Sequence, residues 1–286
     1  MLRPPGVTRP DRTAVLSSSP GANGSPEHWT GARVHVQVKV LCGRTLRILL
    51  NDPQLVLFSL AQPLIMLTLF SQVFASIANT ASFPPGVSYV DYLMPAILVT
   101  TGIGSAMQSG VSLVSEMDNG LLKRLRAMPV APRAVLLARS LADVIRTAVQ
   151  LATLTVAATL LFGFRPVGGV LGTLASVLLT LYVNWALTWI FLALAAALRS
   201  PDAMQMAGSL AMFPLMFASS AYVPIEALPD WLRAVAVVNP LTYAVDAARA
   251  LTMGTPVGAE LLAACVTSLV IAVVGMHVAT RAFRRP

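Results

Sequence analysis

The residues able to do chemistry are few and scattered. His28, His35 and His277 each stand alone, and the two cysteines, Cys42 among basic residues and Cys265 inside an apolar run, share no disulfide or metal-ligand spacing. No GxxxxGK[ST] phosphate-binding loop occurs, so the chain has nothing with which to cradle ATP. It is expected to be no enzyme, with no catalytic, cofactor-binding or metal-ligating residues. An ion-coupled transporter carries Asp, Glu, Arg or His deep within its spans to bind and release the ion. Here the ionisable residues fall at or near the ends of apolar runs, with Asp143 and Arg146 at the start of one and Glu260 at the start of another. That pattern weighs against autonomous proton-driven transport and favours energy supplied by a separate protein.

One segment does concentrate charge with pattern. In Ser115-Glu116-Met117-Asp118-Asn119-Gly120-Leu121-Leu122-Lys123-Arg124-Leu125-Arg126-Ala127-Met128-Pro129, the residues Leu121, Leu122, Leu125 and Met128 follow helical spacing and share one face. Lys123, Arg124 and Arg126 project elsewhere. Pro129 ends this short amphipathic helix, because the residue before a proline is pushed out of the helical region, and Pro132 is placed to open the next helix. Such a basic and apolar plug suits a groove on a soluble partner. The residues alone fit a helix lying on the membrane surface equally well.

The elements that must position this segment are apolar. With 56% hydrophobic residues, 11% charged and a mean hydropathy of +0.73, the chain cannot cover a soluble domain with polar surface. Its net charge of +8 and pI near 10.3 would suggest nucleic acid in a soluble protein, but the basic residues fall in short clusters between apolar runs, which is a topology signal. A hydrocarbon core of about 30 Å needs about 20 apolar residues. Six runs qualify, at about 54–77, 92–114, 144–164, 170–198, 204–223 and 260–279, the first opened by the Asn51-Asp52-Pro53 start signal. From Arg33 onward, the segments on the N-terminal side of the membrane, with Arg146 at the start of the third run counted among them, hold 14 Lys and Arg, against 3 (Arg165, Arg233, Arg249) on the other side. The positive-inside rule then makes both termini cytoplasmic. Residues 1–32, rich in Pro, Ser, Gly and Thr and without a signal-peptide pattern, read as a disordered cytoplasmic tail. Residues 33–50 read as an amphipathic helix on the inner leaflet, with a plain basic linker as the alternative. The polar residues within the runs, Gln72, Gln108, Gln150, Asn184, Trp185 and Trp189, read first as interhelical hydrogen bonds or interfacial anchors, and second as lining of a substrate path.

Two stretches together resemble the ABC-2 type permeases, in particular the daunorubicin and doxorubicin-resistance group of drug exporters. One is Glu116 through Arg139, with GLLKRLRAMPVAPRAVLLAR; the other is Asn239-Pro240-Leu241-Thr242-Tyr243-Ala244-Val245-Asp246-Ala247-Ala248-Arg249. The six-span layout agrees, so the resemblance covers residues 33–286. It implies that Glu116, Leu121, Leu122, Lys123, Arg124, Leu125, Arg126 and Met128 belong to a coupling helix that receives motion from a separate ATP-binding subunit. It also implies a dimer of permeases in the cell inner membrane, with the motif of Asn239, Pro240, Tyr243, Asp246 and Arg249 in short helices that dip back into the outer side of the membrane. Leu228 to Val237 and Leu241 to Met253 are placed as those helices. Asp246 and Arg249, three apart, can pair on one face, first of all as a local stabilising contact.

The expected fold is therefore an all-α integral membrane domain of six spans with a cytoplasmic coupling helix and short re-entrant outer helices. The expected function is the permease subunit of an exporter that moves an amphipathic drug or natural product outward, along a path by spans one, two and five. ATP, bound and hydrolysed by the partner, would be the only nucleotide involved. The partners would be an ABC ATP-binding subunit, a second permease copy and membrane lipids, and no nucleic acid. The alternatives are export of a polysaccharide or lipid-linked glycan by the same architecture, a non-transporting membrane scaffold for an ATPase, and an autonomous secondary transporter.

Overall fold

The computed structural model describes residues 53–74, 87–119, 132–198 and 200–282, and every regular element among them is helical. In chain order these are α1 (Pro53–Val73), α2 (Tyr89–Asp118), α3 (Pro132–Phe162), α4 (Gly169–Ala197), α5 (Pro201–Phe217), α6 (Asp230–Val238), α7 (Pro240–Met253) and α8 (Ala259–Ala282), with a 3-10 turn at Ile225–Ala227 before α6. The tail, the surface helix at 33–50, the Asn51-Asp52 start signal and the last residues of the first expected span lie outside the described residues.

Four of the helices are long and apolar enough to cross a bilayer: Tyr89–Asp118, Arg139–Phe162 within α3, Gly169–Ala197 and Ala259–Ala282. They coincide with the second, third, fourth and sixth expected spans. The helices run past the apolar limits where the ends carry capping groups. Ser88 caps α2 through the Val90 N–H, and α3 opens at Pro132, the position the sequence marks for it.

The fifth span departs from expectation. Residues 204–223 are predominantly apolar and carry no charge, yet α5 begins at Pro201, behind the Ser200 cap, and stops at Phe217. Its 17 residues reach about 25 Å at 1.5 Å each. The chain then turns, because groups other than a further helical turn satisfy the free carbonyls. Ser219 donates to Met216 O, and the Asn239 amide donates to Leu215 O and Ala218 O at 2.7 and 2.6 Å. Hydropathy cannot tell such a buried apolar turn, with Ala221 and Tyr222 covered, from one more turn of helix.

α4 is the central element, packing against α8, α2, α7 and α3. It carries no charge, and half of its most apolar stretch is buried, as is 61% of that of α2, against 22% in α3 and α8. The last two therefore form the periphery. Close backbone approach fixes the arrangement at two glycines. A Cβ on Gly275 of α8 would press on the Trp189 backbone at 2.9 Å, and one on Gly172 of α4 would overlap the Leu251 carbonyl of α7. α5 is the least embedded long helix, resting on α2 with only Met204 and Gly208 buried.

Candidate functional site

The segment expected to dock on a partner, with Leu121, Leu122, Lys123, Arg124, Leu125, Arg126 and Met128, lies outside the described residues. What brackets it is described. α2 ends at Asp118 and α3 begins at Pro132, so the two helices run antiparallel away from the segment and hold its two ends. Glu116, in the last turn of α2, forms an ion pair with Arg139 of α3. Arg139 also donates to the Ser112 hydroxyl at 2.6 Å.

This pair starts a polar ladder between the two helices. Ser109 donates to Asp143, whose other oxygen stands 3.4 Å from Arg146, and the hydroxyls of Ser105 and Thr147 meet at 2.6 Å. Thr147 also accepts from the Asn184 amide of α4 at 3.3 Å. The rungs climb α2 as 116, 112, 109 and 105 and α3 as 139, 143 and 147, turn by turn, so two antiparallel helices meet along one polar stripe. The ladder runs from the end of α2 for 11 residues, about 16 Å, toward the middle of the bundle. Reading the sequence for ionisable residues inside the spans put Asp143 and Arg146 at a span end and missed the serines that face them. The available signal was the stripe itself, Ser105, Ser109, Ser112 and Glu116, on one face of an otherwise apolar helix.

At the opposite end of the bundle lies the Asn239 to Arg249 motif. Asn239 caps α7, its oxygen accepting from the Leu241 N–H at 3.0 Å, and Pro240 takes the first helical position. The Tyr243 hydroxyl reaches back to Val237 O at 2.6 Å, and Thr242 to Ala236 O, so the motif ties α7 to the end of α6. The two short helices span Asp230–Val238 and Pro240–Met253, close to the bounds expected for them.

Asp246 and Arg249 pair at 2.8 Å, but Arg249 does much more than that spacing suggests. It is buried, stacks on the Tyr92 ring at 3.7 Å to the centroid, and donates to Tyr92 O at 3.2 Å and Ser220 O at 2.9 Å. One guanidinium thus joins α7, α2 and the turn after α5. The Ser220 hydroxyl in turn donates to Asp246 at 2.6 Å. Burial pushes the Asp246 carboxyl above its ordinary value, with Arg249 and Ser220 acting in the opposite direction. Around Tyr92 the rings of Tyr89, Phe74, Phe70 and Tyr222 stack in a cluster, Phe70 lying 4.4 Å from Tyr222.

Of the polar residues inside the runs, Gln150 donates to Ser59 O of α1 at 3.1 Å and Asn184 to Thr147, both between helices. Trp185 and Trp189 meet edge to face at 6.4 Å, with Trp189 fully buried, so they serve packing rather than an interface. Gln72 and Gln108 are exposed.

Residues 36–253 match the ABC-2 type transporter family. A daunorubicin resistance ABC transporter permease protein, DrrB1, of Streptomyces coeruleorubidus is 32% identical over 194 residues, which is 68% of this chain and 66%, just under two thirds, of that protein. A putative transport permease, ycf38, of Porphyra purpurea is 28% identical over 74% of this chain and 72% of its own. A probable doxorubicin resistance ABC transporter permease protein, DrrC, of Mycobacterium tuberculosis is 26% identical over 87% of this chain and 89% of its own.

Proposed function

We propose, from the premise that this chain belongs to the ABC-2 type transporter family, that it is the permease subunit of an exporter that carries an amphipathic drug or natural product outward. The energy comes from ATP hydrolysed by a separate ATP-binding subunit. The observation that carries the reading is the conjunction of the family match with the α2–α3 pair. The basic and apolar segment 120–131 joins two helices that are tied to each other at its base by Glu116 and Arg139. A push delivered there acts on both helices together.

In this reading Leu121, Leu122, Leu125 and Met128 form the apolar docking face, Lys123, Arg124 and Arg126 meet the partner's rim, and Glu116 fixes the base of the helix. The chain spans the inner membrane six times, α1 to α5 and α8 being the spans, with both termini in the cytoplasm. α6 and α7, turned back between α5 and α8, are the short re-entrant outer helices. Two permease copies enclose a path along spans one, two and five. The four long apolar helices and the 14 to 3 asymmetry of Lys and Arg support the topology. The drug-resistance relatives support the cargo class.

The test is affinity purification of the tagged chain in mild detergent, comparing wild type with Leu125→Asp, which puts a charge in the docking face. An ATPase with a phosphate-binding loop is expected to copurify with wild type and to be lost from the variant, while the amount of inserted permease is unchanged. If the variant retains both the ATPase and ATP-dependent efflux, the docking face lies elsewhere. If no ATPase accompanies the wild type even after crosslinking, the exporter reading fails and the autonomous secondary-transporter reading moves ahead.

A further inference from the structure

α5 and α8 both rest on the α2–α4 layer but do not pack closely on each other, and a cavity of about 80 Å³ lies between them. Ile103 of α2 and Val183 and Phe191 of α4 form its floor. Met212 and Met216 of α5 form one wall and Ile271 of α8 the other. The start of α7, at Asn239-Pro240-Leu241, closes one end. On a scale where one water takes about 10–15 Å³, this space holds several such groups.

Its chemistry excludes most occupants. No ionisable side chain is among the described residues that line it, so neither a charged headgroup nor an ion finds a partner there. Three polar side chains reach it. The Asn239 amide is taken up by Leu215 O and Ala218 O, and the Thr267 hydroxyl by Ala263 O at 2.6 Å. Ser268, 4% exposed, makes no hydrogen bond among the described residues, which leaves one small hydroxyl in an apolar chamber. A water needs two to four polar partners, so the space suits a hydrocarbon better. Its mouth is set by exposed Ala211 and Leu215 of α5, which continue onto exposed Leu210 and Phe213, while on α8 Val270 and Val274, a helical turn from the lining residues Thr267 and Ile271, are exposed as well. The phase at the mouth is thus apolar on both sides. The methionine wall can adjust to a chain of varying shape.

We infer that this crevice is an acyl-chain site, which takes a segment of one hydrocarbon tail of a membrane phospholipid laterally from the bilayer and so fills the gap between α5 and α8. The inference rests on reading these helices as membrane-embedded. It does not depend on the ATPase partner, so its failure leaves the copurification test untouched.

The experiment reconstitutes the full chain in nanodiscs of phosphatidylcholine that carries a diazirine midway along one acyl chain, and maps photolabelled residues by mass spectrometry. Wild type is expected to carry label on Met212, Met216 or Ile271 within the crevice, besides label on exposed Leu269 and Val273 away from its mouth. Ala211→Trp fills the mouth from an exposed position; the crevice label is expected to be lost and the exposed label kept. Should that variant fail to insert, Ile271→Trp fills the space from the opposite wall, and label at Met212 and Met216 is read instead. Label confined to exposed positions in wild type, as would follow if a second permease copy covered the mouth, overturns the proposal. So does crevice label that survives the filling variant.

Discussion

The Asn239 side chain donates to two carbonyls at the end of α5 while its oxygen caps α7, so a single residue closes the ends of two helices. It is 3% exposed, and of its two carbonyl partners the Ala218 one is buried and the Leu215 one partly so. Asn239→Ala is expected to destabilise the protein by roughly 2–4 kcal/mol, since the buried Ala218 carbonyl left unsatisfied costs about 1–3 kcal/mol and the lost cap about 1. The measurement is the thermal midpoint of the detergent-solubilised protein, followed by size-exclusion chromatography. Asn239→Asp separates the two roles, because a carboxylate still caps α7 but has no donor for Leu215 and Ala218. It should recover little of the loss, and an aspartate variant as stable as wild type would refute the assignment. The sequence offered Asn239 only as a member of a motif. Its partners stand 24 and 21 residues away, which no local pattern reveals.

α2 and α3 are held together by a series of side chains and not by one contact. α2 and α3 are joined by the ladder of Glu116, Arg139, Ser112, Ser109, Asp143, Ser105 and Thr147, and α4 is attached to it through Asn184. In an apolar medium the rungs have few competing partners, so the two helices are expected to move as one body. Glu116→Arg places two like charges at the base of the ladder. Stability should change by less than about 1 kcal/mol, because Glu116 is half exposed. Most ATP-dependent efflux should nevertheless be lost, and the exchange Glu116→Arg with Arg139→Glu should restore it. The measurement is efflux at matched membrane expression. Failure of the double variant to recover any activity would show that the charges act separately and not as a pair. The six apolar runs were visible in the sequence because burial in lipid demands length and hydropathy of each run on its own. The ladder was not, because serines spaced by helical turns gain meaning only once the facing helix and its register are known.

At the scale of the whole molecule, the sign of the charge asymmetry makes a claim that the packing alone cannot make. Thr255, in the connection between α7 and α8, should lie outside the cell, and Asn119, at the end of α2, should lie inside. With Cys42 and Cys265 replaced by serine, a cysteine at Thr255 is expected to react in intact cells with a membrane-impermeant maleimide, and a cysteine at Asn119 only after permeabilisation. The reverse pattern would invert the topology and put the docking segment on the wrong side for an ATPase. The medium, the positions of the apolar runs, the lack of an ATP-cradling loop and the family were legible residue by residue, because hydropathy, charge bias and motif are properties of neighbouring residues. Where α5 stops, that Arg249 is a buried clamp under Tyr92 and that Asp143 faces Ser109 followed from packing. Each of these depends on a partner brought near by packing: Asn239 for the carbonyls of α5, the α2 backbone for Arg249, and the antiparallel register of α2 and α3 for the ladder. Removing polar groups from water forces such pairings, and which groups meet is fixed by how apolar helices fit together.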